Sequence, residues 1–389
     1  MGDGVAVAVQ GGCDARFAAV RDAFAANFAE HGEVGAAVCV SVAGRTVVDL
    51  WAGVADVATG APWQRDTLVN AFSVGKGLLA LVAAQLVDRG QLDVDAPVAS
   101  YWPEFAAAGK AEVTVADLLA HRAGLPALHE RLPDEAMYHW RLMTAALAAE
   151  TPWWEPGTAH GYHVNTYGYL VGEVLRRITG AMPGALLRDL VAGPLGVADE
   201  IVLGVPAALH ARVAAFEWPA GVLPPEPQGD LSEDLRMRFH AYFNPRGLSG
   251  FGVINTPAWR EAQIPSTNTH ADARGVARVY AALAAGGAID GARLLSPGSL
   301  HDATIERSNG HDLVLDRPSR FGLGFQLTQP ERPLGPNPRS FGHFGAGGSL
   351  GFCDPDAGVG FGYVMNQLGE RWKNPRNTAL VDAVYASLG

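Results

Sequence analysis

Strand-like sequence lies at both ends of this chain, and mainly helical sequence lies between them. Residues 37–42 and 45–51 alternate like two strands, and Ala43-Gly44 joins them as a hairpin turn would. Four further strand-like segments occur near the C-terminus, at residues 321–327, 340–344, 349–354 and 359–365. This order predicts a sheet that the two termini complete together, with a helical region inserted in the middle.

The domain division follows from this order. We predict an α/β domain formed by residues 1–92 and 320–389, and an all-α insertion, mainly helical, over residues 93–319. Helical sequence is clearest at residues 14–30, 73–89, 114–120, 166–179, 274–285 and 378–388. Residues 223–250 are rich in Pro, Gly and charge, so we expect an irregular surface segment over a pocket. The cleft between the two domains is the expected site.

Charge and composition exclude several classes of function. The formal net charge is −11 and no run of Lys or Arg occurs, so nucleic acid and membranes are not expected as partners. Residues 1–12 lack the features of a secretory signal, and residues 78–87, the longest apolar segment, are too few to span a bilayer. The three cysteines have no CxxC spacing, which argues against a disulfide framework. We expect a cytoplasmic protein, and its oligomeric state stays open.

A serine and a lysine begin the most apolar helical segment, in Ser73-Val74-Gly75-Lys76. Only three of the 29 basic residues are lysines, so a lysine in an apolar stretch calls for a reason. Positions i and i+3 of a helix lie about 5–6 Å apart on one face, so Lys76 can reach the hydroxyl of Ser73 and help to activate it. The free N–H groups of the helix N-terminus can stabilise an oxyanion. The alternative is an N-cap serine followed by an incidental lysine.

A tyrosine, Tyr162, lies in the segment Gly161-Tyr162-His163-Val164-Asn165. A phenol near an ammonium group can be held as a phenolate, or easily become one, and so relay protons. The alternative is an ordinary core or surface tyrosine, since this segment is aromatic in any case.

A glycine-rich segment, residues 341–348, reads Phe-Gly-His-Phe-Gly-Ala-Gly-Gly. Its glycines allow a backbone to approach another group closely. The N–H of Ala346 would supply a second oxyanion donor, and His343 would face the cleft as a polar or cationic group. The alternative is a plain glycine-rich connection between a strand and a turn.

Together these three segments resemble motifs of the serine β-lactamase and penicillin-binding-protein superfamily. The nearer resemblance is to its esterase branch, the family VIII carboxylesterases, which are similar to class C β-lactamases. Ser73-Val74-Gly75-Lys76 matches the S-x-x-K motif, and His343-Phe344-Gly345 takes the place of K-T-G. Tyr162-His163-Val164 looks like the Y-A-N motif of the class C enzymes. The resemblance covers the chain from about Phe17 to the C-terminal helix.

The resemblance implies a β-lactamase/transpeptidase-like fold, in which an antiparallel sheet is flanked by helices and carries an inserted helical domain. It implies Ser73 as the nucleophile, with Lys76 and Tyr162 as the general-base pair. The N–H groups of Ser73 and Ala346 would form the oxyanion hole. The residues expected to bind substrate are His343, Phe344, Gly345 and Val164.

Two departures from the β-lactamase pattern bear on the substrate. His343 and Val164 stand where β-lactamases usually keep a Lys and an Asn, which favours uncharged esters over antibiotics. The expected function is therefore a carboxylesterase acting on a small-molecule ester. The alternatives are a β-lactamase or D-alanyl peptidase, an acyltransferase or amidase with the same triad, and a catalytically silent relative that only binds a ligand.

Two other patterns are set aside. Residues 347–351 formally match G-x-S-x-G, but no histidine follows Ser349 and strand-like sequence comes next, whereas that motif needs both a later histidine and a helix. His160 and His163 are spaced i, i+3, but no acidic or cysteine partner stands beside them at metal-ligand spacing. They are expected to line or support the pocket, and no cofactor and no metal is expected.

Overall fold

The computed structural model describes residues 7–219, 221 and 229–389. The helices of this part of the chain are α1 (Ala18–Glu30), α2 (Val74–Asp88), α3 (Val115–Leu119), α4 (Trp140–Ala149), α5 (Thr166–Thr179), α6 (Pro183–Leu187), α7 (Glu233–Phe243), α8 (Pro257–Glu261), α9 (Ala273–Ala284), α10 (Pro297–Thr304) and α11 (Pro375–Leu388). The strands are β1 (Gln10–Cys13), β2 (Gly35–Val42), β3 (Arg45–Asp56), β4 (Ala61–Pro62), β5 (Val69–Asn70), β6 (Ile201–Leu203), β7 (Thr269–Ala271), β8 (Ala288–Ile289), β9 (Ala292–Arg293), β10 (Ser308–Asp312), β11 (Arg317–Phe321), β12 (Gln326–Leu327), β13 (Phe341–Phe344), β14 (Leu350–Asp354) and β15 (Val359–Met365).

One antiparallel sheet of ten strands dominates the structure. Its order is β1-β3-β2-β15-β14-β13-β12-β11-β10, with β4 paired to β3. Near its centre β2 pairs with β15, where Val38 lies opposite Tyr363, so the two ends of the chain complete the sheet as predicted. The hairpin between β2 and β3 turns at Ala43 and Gly44, whose φ angles of 50° and 79° are those that a two-residue hairpin requires.

Helices cover the sheet and separate it from the helical part of the chain. Helix α9 packs against β2, β14 and β15, and α1 packs against α11 and β3. Helix α2 contacts β13 on one side and α5 on the other, so it lies between the sheet and the helices. None of the helices in the described residues has the length and hydrophobicity needed to cross a membrane.

The predicted boundary of the helical insertion at residue 319 is wrong. Helix α9 packs on the large sheet, and β10 and β11 are strands of that sheet. All of α9 and β10 and most of β11 nevertheless lie within the predicted insertion. Strands β10 and β11 carry the polar sequences SNGHD and RPSRF, which lack the apolar alternation by which strands are recognised. The chain therefore returns to the sheet at about Ala273, earlier than predicted.

The irregular segment predicted at residues 223–250 is also partly wrong. Residues 223–228 lie outside the described residues, but α7 occupies much of the remainder. Its N-terminus is capped by Ser232, whose hydroxyl accepts a hydrogen bond from the N–H of Leu235. Two acidic residues in the first turn, Glu233 and Asp234, interact favourably with the positive N-terminal end of the helix dipole. Capping and charge therefore stabilise a helix whose charged sequence resembles a loop.

Helix α2 is buried on every side, from Val74 to Leu86. A helix that is apolar all round belongs to a protein core, and such a position needs close packing. Gly75 faces β7 and the segment before it, where an added Cβ would lie 2.4 Å from Thr269 Oγ1 and 2.7 Å from the carbonyl oxygen of Pro265. The missing side chain thus allows this segment to reach the first turn of α2.

We expect Gly75→Ala to lower the free energy of unfolding by about 1–3 kcal/mol, because overpacking outweighs the gain in helix propensity. The matched control is Gly298→Ala in α10, where the nearest atom to a new Cβ is Ser296 Oγ at 4.0 Å. This control should be as stable as the wild type or slightly more stable. Urea unfolding monitored by circular dichroism measures both variants, and equal effects would contradict the packing argument.

Candidate active site

Ser73 stands at the N-terminus of α2, directly after a strained residue. The chain leaves β5 and turns at Phe72, whose φ of 50° is uncommon for a residue with a side chain. The ring of Phe72 packs edge-on against Phe216, with 5.0 Å between ring centroids, which helps to hold this conformation. The turn places the partly exposed Ser73 on the wall of a cavity.

Lys76 lies one turn further along α2 and is fully buried. Its Nζ is 3.0 Å from Ser73 Oγ and donates a hydrogen bond of 2.9 Å to the carbonyl oxygen of Ser266. The same Nζ lies 4.8 Å from the centre of the Tyr162 ring. Burial lowers the pKa of Lys76 well below its ordinary value, so the uncharged amine is favoured. A free amine beside Ser73 can accept the proton of its hydroxyl.

Tyr162 reaches the same cavity from the segment before α5, where two buried residues position it. Its backbone N–H donates to Asp312 Oδ1 at 2.9 Å, and its ring stacks on Phe321 with 5.9 Å between centroids. Burial raises the pKa of Tyr162, while a hydrogen bond with Ser73 opposes the shift. The balance favours the neutral phenol, which differs from the phenolate considered from the sequence. Tyr162 is thus in the form that can give a proton.

The two backbone N–H groups expected to bind an oxyanion are those of Ser73 and Ala346. Neither has a hydrogen-bond partner among the residues that the structure describes. Their segments come together at Gly345, where an added Cβ would lie 2.4 Å from the carbonyl oxygen of Ala71. The start of α11 holds the following turn, because Asn374 Nδ2 donates to the carbonyl oxygen of Gly347. The two N–H groups therefore belong to elements far apart in sequence.

Three of the four residues predicted to bind substrate line the cavity with Ser73, namely Val164, Phe344 and Gly345. His343 differs, because its side chain is fully buried behind the cavity wall and its ring centroid lies 6.0 Å from that of Tyr162. Nδ1 pairs with the carbonyl oxygen of Phe344 at 2.7 Å. Burial, assisted by Lys76, lowers the pKa of His343 well below its ordinary value. The expectation that His343 faces the cleft as a polar or cationic group is therefore wrong.

His160 and His163 support the site from behind and are both buried. The N–H of Leu125 donates to His163 Nε2 at 3.0 Å, and His163 Nδ1 lies 2.7 Å from the carbonyl oxygen of Gly161. His160 Nε2 lies 3.0 Å from Ser319 Oγ. Backbone groups thus occupy both ring nitrogens of His163, and a hydroxyl group contacts one ring nitrogen of His160.

Several residues that shape the site carry no sequence motif. Asp312 accepts hydrogen bonds from the backbone of Tyr162 and from Ser319 Oγ, at 2.8 Å in the latter case. His121, buried and held at a φ of 61°, accepts a hydrogen bond of 3.1 Å from the N–H of His163 and contacts the ring of Tyr162. Asn165 Oδ1 accepts a hydrogen bond of 2.6 Å from Thr267. These residues act through contacts between distant segments, which a single sequence does not reveal.

Much of the rest of the cavity wall is aromatic or basic. Besides the residues already described it includes Trp218, Tyr242, Phe251, Arg317, Arg332 and Arg371. None of these six was singled out from the sequence, because they lie in separate segments without a common spacing.

Known proteins match this chain over most of its length. The beta-lactamase family matches residues 20–386. The esterase/beta-lactamase LipL of Mycobacterium tuberculosis (strain ATCC 25618 / H37Rv) is 38% identical over 363 residues, which cover 92% of this chain and 83% of LipL. The crystal structure of a family VIII carboxylesterase is 41% identical, with a TM-score of 0.90, and the match covers 98% of this chain and 100% of that one.

A penicillin-binding protein homologue from Caulobacter crescentus has a similar structure, with a TM-score of 0.89 and 42% identity over 98% of this chain and 100% of that one. These matches confirm both the family resemblance and the β-lactamase-like fold predicted from the sequence. The chain belongs to the beta-lactamase family.

Proposed function

We propose that this protein is a carboxylesterase that hydrolyses small to medium carboxylic esters through an acyl-enzyme on Ser73. The observation that carries the proposal is the buried amine of Lys76, 3.0 Å from Ser73 Oγ at the start of a helix. The N–H groups of Ser73 and Ala346, which have no partner within the described part of the chain, would add a site for the oxyanion. Similarity to a family VIII carboxylesterase and to LipL supports ester hydrolysis as the reaction.

The first half of the reaction forms the acyl-enzyme. Ser73 Oγ attacks the ester carbonyl carbon while the amine of Lys76 accepts its proton. The negative charge of the tetrahedral intermediate lies on the carbonyl oxygen, which the N–H groups of Ser73 and Ala346 stabilise, and each such donor typically contributes about 10²–10³-fold in rate. Tyr162 then gives its proton to the departing alkoxide as the C–O bond breaks. The ammonium of Lys76 restores the proton of Tyr162.

The second half releases the acid. A water molecule attacks the acyl-enzyme carbonyl and transfers a proton to the neutral base. The second tetrahedral intermediate uses the same oxyanion site. It collapses by breaking the bond to Ser73 Oγ, and that oxygen regains a proton. The carboxylic acid leaves and the starting protonation states of Lys76 and Tyr162 return.

Ser73→Ala should reduce hydrolysis of p-nitrophenyl butyrate by at least about 10⁴-fold, because no other group forms the acyl-enzyme. Circular dichroism should show an unchanged fold. Ser349→Ala is the matched control, since Ser349 is the buried serine of the G-x-S-x-G pattern and should be dispensable. Retained activity in Ser73→Ala would refute the nucleophile. Turnover of nitrocefin comparable with that of the ester would instead favour β-lactam hydrolysis as the main activity.

The role of Lys76 as a base can be separated from a role as a fixed cation. Lys76→Met and Lys76→Arg should both lower kcat by about 10²–10⁴-fold, because neither side chain offers a free amine. In the wild type, kcat/KM should fall as the pH falls through the lowered pKa of Lys76, because the proton blocks the base. Substantial activity in Lys76→Arg, with the fold intact, would show that positive charge is what the site needs.

The burial of Lys76 should also lower the free energy of unfolding relative to a variant with an apolar side chain at this position. Because the folded pKa of Lys76 is lowered, the unfolded chain binds a proton that the folded chain lacks, so stability rises with pH up to the ordinary lysine pKa of about 10.4. Lys76→Met should therefore raise the free energy of unfolding at pH 7 by about 1–2 kcal/mol, and this gain should shrink by pH 10. The control is Lys373→Met, at an exposed lysine. Urea unfolding at both pH values tests this, and a less stable Lys76→Met would contradict it.

A further inference from the structure

Three guanidinium groups line the cavity that contains Ser73. Arg317 begins β11, Arg332 lies between β12 and β13, and Arg371 precedes α11. The chain as a whole carries a formal net charge of −11, so a cavity with three positive side chains differs in sign from the protein as a whole. Three separate segments thus bring cations to one cavity.

Aromatic rings, not carboxylates, hold these arginines. The guanidinium carbon of Arg332 lies 3.5 Å from the centre of the Phe344 ring, and that of Arg317 lies 4.3 Å from the Trp372 ring. Arg371 lies 5.2 Å from the ring of Tyr242. Cation–π contacts fix the position of a guanidinium and leave its N–H groups free to bind an anion.

Within the described residues, no ion pair joins any of these three arginines to a carboxylate. The Nε atoms of Arg317 and Arg332 are buried and have no hydrogen-bond partner there. By contrast Arg320, on the same strand as Arg317, pairs with Glu306 at 2.6 Å. Unpaired buried donors are costly, so a ligand that supplies their partner would bind favourably. The Nε atoms of Arg260, Arg274 and Arg307 also lack a partner among the described residues. Arg317 and Arg332 differ from them because they line the cavity that contains Ser73.

The charged groups near the cluster do not neutralise it. Asp312 acts on Arg317 through space, but its carboxylate already accepts hydrogen bonds from the backbone of Tyr162 and from Ser319. Burial lowers the pKa of Arg332 to about 9, and the neighbouring charge of Arg317 adds to this effect. An anion between these guanidinium groups would relieve both the repulsion and the missing hydrogen bonds.

We propose that the ester substrate of this protein carries a carboxylate, which binds Arg332 and Arg317 while the ester carbonyl lies at Ser73. The inference rests on the proposed esterase function and names its substrate class. Guanidinium groups match the planar geometry of a carboxylate, and such charge-assisted bonds are about twice as strong as neutral ones. The site is therefore positively charged although position 343 carries a histidine where β-lactamases usually keep a lysine. This proposal replaces the expected preference for uncharged esters with a preference for esters that carry a carboxylate.

The test compares each anionic ester with its neutral methyl ester. One pair places the charge on the acyl side, mono-p-nitrophenyl adipate against methyl p-nitrophenyl adipate. The other places it on the alcohol side, 4-acetoxybenzoate against methyl 4-acetoxybenzoate. In at least one pair, the kcat/KM of the wild type for the anionic ester should exceed that for the neutral methyl ester by about tenfold or more. Hydrolysis measured with Ser73→Ala is subtracted as background.

Arg332→Gln should reduce that anion-to-neutral ratio by about tenfold or more, mainly through a higher KM for the anionic ester. Arg317→Gln is the second variant, which serves if loss of the stack on Phe344 prevents Arg332→Gln from folding. Arg278→Gln is the matched control, because it removes one positive charge from α9, where Arg278 pairs with the exposed Asp290 at 2.7 Å. Its ratio should equal that of the wild type.

The possible failures are distinguishable. If the wild type hydrolyses the neutral esters but shows no preference in either pair, the carboxylate proposal is wrong and the esterase function stands. An equal fall of the ratio in Arg278→Gln also overturns the proposal, because the effect would then come from net charge. If the folded wild type hydrolyses none of the four esters, the esterase function itself fails.

Discussion

The burial of the Lys76 amine is the interaction on which the site depends. Among the residues that the structure describes no carboxylate compensates it, so burial alone lowers its pKa and favours the free base. Such a position requires α2 to be enclosed by other elements, which Gly75 and Gly345 allow through close approaches of backbone to backbone and side chain. Packing therefore sets the chemistry, because the fold that buries Lys76 also brings the carbonyl oxygen of Ser266 and the ring of Tyr162 to its amine.

The interior of the site is kept neutral, and positive charge lies at the cavity wall. Burial lowers the pKa values of His121, His163 and His343, and the charge that Lys76 would carry adds to this effect. For His163 the pKa falls to about 4, so the ring is uncharged at neutral pH. Neutral neighbours leave the amine as the strongest base near Ser73. The guanidinium groups of Arg317 and Arg332 line the same cavity, where they can attract an anion.

Local sequence was sufficient to predict much of the fold and the proximity of Lys76 to Ser73. The hairpin at Ala43-Gly44 and helix α2 follow from turn chemistry and apolar periodicity, and both occur where predicted. The proximity of Lys76 to Ser73 follows from helix geometry alone. Strands β10 and β11 could not be recognised from the sequence, because their polar residues lack the apolar alternation that indicates a strand. Asp312 and His121 were missed for a related reason, since each acts on Tyr162 only through contacts that the fold creates.

The arginines show how a motif comparison can mislead about charge. A histidine at position 343 indicated a site without the usual cation, and the structure places that histidine, uncharged, behind the wall. Yet the cavity contains Arg317 and Arg332, contributed by segments on either side of β12 and held by the aromatic rings of Trp372 and Phe344. A motif shows which residue occupies one position. The electrostatic potential in a cavity instead depends on the charged side chains of every segment that reaches it. The substrate class of such an enzyme is therefore better inferred from all unpaired charges in the cavity than from the motif position alone.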